Sequence, residues 1–276
     1  MEKDDHHMYW MDYHSHTNCS TDSTATLAQQ AEAAFQAGIR EMCVTDHWNL
    51  LDQQANPLPH SYDWTTPLAN WKEARNRFAG KVEIRLGVEV GNGVLDPEGV
   101  EASLALPELD FVIGSLHNQS AAAGGKGIFT VAKASKTRED CVALLQDYMD
   151  TLDALTDTAG FDVLGHIIYP LRYLPPQYEL DLKPWWDQLA HILQKVIRSG
   201  RGIELNTTQG DTVEQWTDLL RLYHDLGGEI LTLGSDAHRP ACMGAAISRA
   251  GALAKEAGFR YLATYRTRTP AFVKLV

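Results

Sequence analysis

The sequence predicts an α/β fold in which parallel strands alternate with helices, as a barrel or as a doubly wound sheet. Short apolar runs without strict alternation are typical of strands that are buried on both faces of a parallel sheet. Longer segments with helical spacing separate these runs, and a repeated strand-then-helix order is the pattern of α/β proteins. A chain of 276 residues is long enough for one barrel, so we expect a single domain over residues 1–276.

The individual elements follow from these runs. Candidate strands are Met11–His14, Glu41–Thr45, Val82–Val90, Asp110–Leu116, Asp162–Gly165, Gly202–Asn206 and Glu229–Gly234, with Arg260–Thr264 as a candidate eighth. Predicted helices are Thr26–Gly38, Cys141–Thr158, Trp185–Ser199 and Val213–Leu226. Leu51–Pro67 and Ser120–Lys136 are predicted to be long loops, the second a mobile loop over the mouth of a site. Its glycines lack the GxxxxGK[ST] spacing of a P-loop.

Composition limits the class of partner. The formal net charge of −12 argues against a general nucleic-acid binder, which usually carries a basic patch. No run of about 18 apolar residues predicts a membrane-spanning helix, and residues 1–7 lack the apolar core of a signal peptide. The four cysteines (Cys19, Cys43, Cys141 and Cys242) form no CxxC pair, which is typical of reduced thiols. We therefore expect a cytoplasmic protein that acts on a small molecule.

Metal-capable side chains lie where six of the predicted strands end. They are His14 and His16, His47, Glu89, His117, His166, and Asp236 with His238. In a barrel of parallel strands, all the carboxyl ends open on one face, where active sites are found. The sequence therefore predicts one metal site at that face.

The residue types indicate which metals would bind. In the HxH pair His14 and His16, an extended chain places both imidazoles on the same side, where they can bind one ion. Imidazole with carboxylate suits zinc, iron or manganese, and a shared carboxylate such as Glu89 can bridge two ions. Without clustered cysteines, a structural zinc site is not expected.

Each residue also has a structural interpretation. A single histidine at a strand end is more often a hydrogen-bonded core or surface residue, and Asp46 could cap the following turn. We favour for Asp46 a role in supporting a neighbouring ligand. Glu89 is harder to explain structurally, because a carboxylate in an apolar strand needs a partner. The remaining histidines, which lie in a terminus, a loop or helices, are left out: His6, His7, His60, His191 and His224.

The motifs together resemble a known family. The series DYHSHT, TDHWN, GVEV, GSLHN, GH and GSDAH is similar to the PHP (polymerase and histidinol phosphatase) superfamily, and in order and spacing to its histidinol-phosphate phosphatases. The resemblance extends from about Met11 to the C-terminus. It implies a distorted (β/α)7 TIM-like barrel with a trinuclear metal centre that hydrolyses a phosphate monoester, most similarly L-histidinol phosphate.

The resemblance also implies a distribution of ligands over three divalent ions of zinc, iron or manganese. The first ion would take His14, His16, Glu89 and Asp236; the second Glu89, His117 and His166; the third Asp22, His47 and His238. Some family members have histidine at the position of Asp22, which could instead be a residue at a helix N-terminus.

We expect hydrolysis by a hydroxide whose pKa the metals lower, without a phospho-enzyme intermediate. An arginine could bind the phosphate with two parallel donors. Arg172, in a Pro-flanked loop after His166, is the first candidate, and Arg239, directly after His238, is the second. Asn118 stands where the family commonly has an aromatic residue, which puts the substrate in question.

Three alternatives remain open at this level. The same centre could hydrolyse a nucleotide or a sugar phosphate. A metal-dependent amidohydrolase also carries His and Asp at strand ends, but it usually has a metal-bridging lysine on a strand, and the lysines here fall elsewhere. A non-catalytic metal-binding domain would be expected to lose ligands, whereas this set looks complete.

Overall fold

The computed structural model describes residues 8–276, so the polar stretch 1–7 with His6 and His7 lies outside it. Its strands are β1 (Met11–Asp12), β2 (Glu41–Val44), β3 (His47–Asn49), β4 (Glu83–Gly91), β5 (Phe111–Ser115), β6 (Val163–Leu164), β7 (Gly202–Asn206), β8 (Leu231–Gly234), β9 (Tyr261–Arg266) and β10 (Thr269–Lys274). Its α-helices are α1 (Leu27–Gln36), α2 (Thr65–Arg77), α3 (Pro97–Ser103), α4 (Ile128–Ala134), α5 (Arg138–Thr156), α6 (Trp186–Arg198), α7 (Thr217–Asp225) and α8 (Ile247–Glu256). None of these helices is long and apolar enough to cross a bilayer.

The main sheet is parallel and nearly closes into a barrel. Its strands run in the order β1-β2-β4-β5-β6-β7-β8, and the short β3 pairs with the end of β4. A parallel bridge between Ser15 and Ala237 joins the segments that follow the first and last strands, and the Tyr13 amide donates to the Leu233 carbonyl at 2.8 Å. The predicted distorted (β/α)7 barrel is confirmed.

Local sequence explains the elements that were predicted. Every residue of β2, β5, β7 and β8 is buried, as expected for strands covered on both faces. On α6 the buried residues Leu189, Ile192, Leu193 and Val196 form one apolar stripe toward the barrel. Thr26 starts α1 with a capping box in which its side chain accepts from the Gln29 amide.

Several elements were missed, each for a physical reason. Helix α2 buries only Trp71 and Ala74, too few apolar residues to show a period. The prediction of a loop over Ser120–Lys136 was wrong in part, because α4 lies within it and buries Ile128 and Ala132. Leu51–Pro67 is mostly irregular until α2 begins, as predicted.

The predicted eighth strand forms β9, but it lies outside the barrel in an antiparallel hairpin with β10. The turn of this hairpin covers the amino-terminal ends of β5 and β6. The Arg268 guanidinium donates to Asp162 at 2.9 and 3.1 Å, and the Thr267 amide donates to the Asp110 carboxylate at 2.9 Å. The hairpin therefore closes the end of the barrel opposite the carboxyl ends of the strands.

Replacing Arg268 should destabilise the fold without affecting the opposite face. Burial raises the pKa of Asp162 even though Arg268 lowers it, so Arg268→Ala leaves a buried carboxylate with less compensation. We expect the free energy of unfolding in urea to fall by about 1–3 kcal/mol. Arg266→Ala, at an exposed position on β9, is the control and should change it little. Equal losses in both variants would contradict this role.

Candidate metal centre

The parallel strands bring the predicted ligands to one end of the barrel. Within the described chain, four groups of side chains have ligand atoms that lie within 4.8 Å of one another: His14–His16–Glu89, His14–His166–Asp236, His47–Glu89–His117 and His16–His47–His238. These groups share members, so they form one continuous cluster. It contains eight of the nine residues that the sequence predicted, and the ninth, Asp22, lies at its edge.

Glu89 lies at the centre of this cluster and is fully buried. Its Oε1 atom is 2.8 Å from His166 Nε2 and 3.2 Å from His117 Nε2. Its Oε2 atom is 2.7 Å from His47 Nδ1 and 3.3 Å from His14 Nε2. The two oxygens thus face different imidazoles, which is the arrangement that a carboxylate shared by two ions needs.

Several buried ligand atoms in the described residues have no hydrogen-bond partner. Those that face the cluster are His14 Nε2, His16 Nε2, His47 Nδ1 and Glu89 Oε2; the last two lie 2.7 Å apart but without hydrogen-bond geometry. A buried polar atom without a partner costs about 1–3 kcal/mol, so a group of them in one place requires an explanation. Ions bound between these nitrogen and oxygen atoms would satisfy them, and the donor set suits zinc, iron or manganese. The residues present therefore fit a metal centre.

Asp22 joins the cluster from the loop before α1. Its Oδ2 atom lies 3.3 Å from His47 Nε2 and 3.2 Å from His238 Nε2. Partial burial would raise the pKa of Asp22, but these two imidazoles outweigh it and lower the pKa well below its usual range. Asp22 is half-exposed, so the group that it forms with His47 and His238 is the most open part of the centre.

Asp46 lies behind the cluster, as its predicted supporting role requires. Its carboxylate accepts from the Thr17 amide at 2.6 Å and from the Ser20 hydroxyl at 2.8 Å. Because the Ser20 hydroxyl donates to Asp46, its oxygen is available to accept from His16 Nδ1 at 3.2 Å. His16 is then held with its Nε2 atom toward the cluster.

The charges within the cluster would attract a cation. Burial would lower the pKa of His47, but the carboxylates of Glu89 and Asp22 raise it to about 10. Burial and the neighbouring His47 hold the pKa of His16 well below 6.5. A divalent ion would replace the proton that Glu89 and Asp22 stabilise on His47, so metal affinity should increase with pH.

A cavity of about 490 Å³ opens onto the cluster. Arg172 lies in its wall with 6% of its side chain exposed, and its guanidinium donates to Asp236 at 3.1 Å and to the Asn206 side chain at 2.8 Å. Tyr169 and Tyr173 line the same wall. Arg239, the other predicted phosphate-binding residue, is exposed and is not part of this wall; its guanidinium approaches Cys242 instead.

Asn118 connects two loops near the cavity. Its side-chain amide donates to the Asp52 carbonyl at 2.7 Å and to the Gly125 carbonyl at 3.0 Å. The unusual residue at this position therefore fixes loop structure at the cavity mouth.

Sequence reasoning missed two residues that hold ligands. Glu204 accepts from His14 Nδ1 at 2.6 Å, and the Asn49 side-chain oxygen accepts from His117 Nδ1 at 2.7 Å. Glu204 could have been found, because it is a carboxylate in an apolar strand, the same signal that identified Glu89. Asn49 carries no such signal.

Residues 12–208 match the PHP domain family, which is more than half of the chain. The chain belongs to the PHP family. This confirms the resemblance that the motifs predicted.

Full-length relatives of this PHP protein support the same assignment. It is 27% identical over 263 residues to a histidinol-phosphatase of Lactococcus lactis, covering 92% of this chain and 94% of that one. It is 29% identical over 270 residues to a probable histidinol-phosphatase of Deinococcus radiodurans, covering 93% and 96%. The crystal structure of the L. lactis histidinol phosphate phosphatase, complexed with zinc, L-histidinol and phosphate, superposes with a TM-score of 0.82 at 25% identity, covering 96% and 100%.

Glu89→Gln tests whether Glu89 is shared between ions. The amide keeps the shape but removes the charge and one acceptor, so we expect fewer bound ions per chain, measured by elemental analysis after reconstitution with zinc. Glu83→Gln, on the exposed end of the same strand β4, is the matched control and should retain the full metal content. An unchanged metal content in Glu89→Gln would exclude a bridging role.

Proposed function

We propose that this PHP protein is a metal-dependent phosphatase that hydrolyses L-histidinol phosphate to L-histidinol and phosphate. The observation that carries the proposal is the cluster of unpartnered imidazole and carboxylate atoms at the carboxyl ends of the strands, beside a buried arginine. The proposed substrate rests on a histidinol-phosphatase and a probable histidinol-phosphatase that this chain matches over nearly their whole length. The cavity of about 490 Å³ has the size of a small-molecule site.

The metal-binding part of the proposal has nine ligands for three divalent ions: His14, His16, Asp22, His47, Glu89, His117, His166, Asp236 and His238. Zinc is our first candidate, since zinc is present in the L. lactis enzyme structure; iron and manganese suit the same donors. When bound, the ions supply Lewis acidity to water and to the phosphate oxygens. Among the nine ligands, the anionic ones are Asp22, Glu89 and Asp236. With neutral imidazoles, three divalent ions would therefore leave the centre with about three positive charges.

That local charge explains how an acidic protein can bind a phosphate dianion. The net charge of −12 lies over the whole chain, whereas the cavity would combine the ions with the cationic Arg172. We assign the phosphate to Arg172 because it is the arginine that lines the cavity and because a guanidinium suits a phosphate group. Tyr169 and Tyr173 would pack on the organic part of the substrate.

The alternatives are less well supported. No lysine is among the described residues that line the cavity, which counts against an amidohydrolase with a metal-bridging lysine. Neither of the full-length matches described above is a nucleotide or sugar phosphatase, so they do not support these activities.

Removal of metal should abolish phosphatase activity. Dialysis against a chelator is expected to eliminate release of inorganic phosphate from L-histidinol phosphate, and added zinc or manganese should restore it. The same assay with a panel of nucleotides and sugar phosphates tests the substrate, for which we expect lower kcat/KM values. Full activity in metal-free protein would refute the metal-dependent mechanism; preference for a nucleotide would change only the substrate.

Arg172→Ala should lower the catalytic efficiency toward L-histidinol phosphate. We expect kcat/KM to fall about ten- to a hundredfold, on the order of 1.4 to 2.8 kcal/mol, mostly through a higher KM. Because Arg172 also donates to Asp236, metal content is measured on the same sample. Arg239→Ala, exposed and outside the cavity wall, is the control and should behave as wild type. The reverse pattern would assign the phosphate to Arg239.

A further inference from the structure

Glu204 is a buried carboxylate on β7, directly behind the metal centre, with 1% of its surface exposed. It is not one of the nine proposed ligands. A buried carboxylate is costly unless its oxygens accept several hydrogen bonds, so its partners indicate why it is there.

All three partners of Glu204 are donors. His14 Nδ1 lies 2.6 Å from Oε1, the Asn206 side-chain amide donates to the same oxygen at 3.2 Å, and the His166 main-chain amide donates to Oε2 at 2.9 Å. A carboxylate can only accept in these contacts, so the proton of the His14 ring is on Nδ1. The lone pair of His14 is then on Nε2, which faces Glu89 and has no partner among the described residues.

The surrounding strands leave room for this carboxylate. A Cβ atom at Gly234, on β8, would lie 2.2 Å from Glu204 Oε1 and 2.5 Å from the His14 Cβ atom. Only glycine at this position allows the carboxylate and the imidazole to approach each other. The contact between Glu204 and His14 is therefore built into the packing of β7, β8 and the segment after β1.

Of the other imidazoles of the cluster, three contact a neutral oxygen through Nδ1, whereas His47 Nδ1 faces Glu89 itself. His16 Nδ1 contacts the Ser20 hydroxyl at 3.2 Å, His117 Nδ1 the Asn49 side chain at 2.7 Å, and His238 Nδ1 the Asp236 carbonyl at 3.0 Å. Among these hydrogen bonds, that of His14 alone is made directly to a carboxylate. A charged acceptor makes the stronger hydrogen bond and increases the basicity of the imidazole toward a metal.

We propose that Glu204 is a positioning residue that holds His14 in the tautomer and orientation that present Nε2 to a metal ion, and that it fixes the backbone of His166 with its second oxygen. This inference rests on the proposed metal-dependent function. Glu204 itself touches neither metal nor substrate; it acts through the two ligands that it holds.

Glu204→Gln tests the proposal because it preserves shape and reverses polarity at one oxygen. Whichever way the amide is turned, its NH2 group meets a donor, either His14 Nδ1 with Asn206 or the His166 amide. Zinc affinity is measured by competition with a chelating dye after removal of bound metal. We expect zinc to bind about 10- to 100-fold more weakly than in the wild type.

Asp162→Asn is the matched control, because it alters another buried carboxylate at the opposite end of the barrel. It should lower stability and leave zinc affinity unchanged. Zinc affinity within twofold of wild type in Glu204→Gln, or an equal loss in Asp162→Asn, would overturn the proposal. If the wild type itself binds no zinc, the proposed function fails, and that result is distinct from failure of the positioning role alone.

A second measurement is made on the wild type and does not depend on Glu204→Gln being folded. In zinc-loaded wild-type protein, a long-range proton–nitrogen correlation spectrum of the histidine rings reports which nitrogen of His14 carries the proton, with the signal assigned by its loss in His14→Gln. We expect the proton on Nδ1. A proton on Nε2 would overturn the proposal.

Discussion

The structure depends on one constraint, the burial of the Glu89 carboxylate in the interior of the barrel. An isolated charge in such a place would be strongly unfavourable, so cationic or donor groups have to surround it on every side. Imidazoles from β3 and from the segments after β1, β5 and β6 meet this need only in part, because several of their nitrogens and Glu89 Oε2 have no partner. Divalent ions would complete the arrangement, so a carboxylate that is costly to bury lies at the centre of the proposed chemistry.

Hydrogen bonds behind the cluster direct three of its imidazoles. Asp46 acts through Ser20 on His16, Asn49 accepts from His117, and Glu204 accepts from His14. These acceptors lie on or beside strands whose positions the barrel fixes, so the donor atoms are oriented before any ion binds. Packing of the surrounding strands offsets the free energy that is lost by burying so many polar atoms without partners.

Contacts that stabilise the fold and residues of the proposed active site lie at opposite ends of the barrel. The β9–β10 hairpin covers the amino-terminal ends of β5 and β6, where Arg268 pairs with Asp162 and contributes to folding. Arg172, at the other end, pairs with Asp236 in the wall of the cavity and leaves one guanidinium nitrogen without a partner. The two arginine–aspartate pairs thus lie at opposite ends of the barrel, and the pair of Arg172 lines the cavity whereas that of Arg268 does not.

The residue patterns by themselves determined a parallel α/β fold, and the resemblance to the PHP family implied the barrel. The patterns also predicted where the metal-capable side chains lie, because parallel strands bring their carboxyl ends to one face. The sequence could not separate Arg172 from Arg239, since both follow a histidine of the cluster. The tertiary structure gives them different positions: the 3-10 turn Tyr169–Arg172 places one guanidinium in the cavity wall, whereas Arg239 is extended and exposed. The hairpin position of β9 and the role of Glu204 also depend on contacts between residues far apart in the chain, for which no local pattern exists.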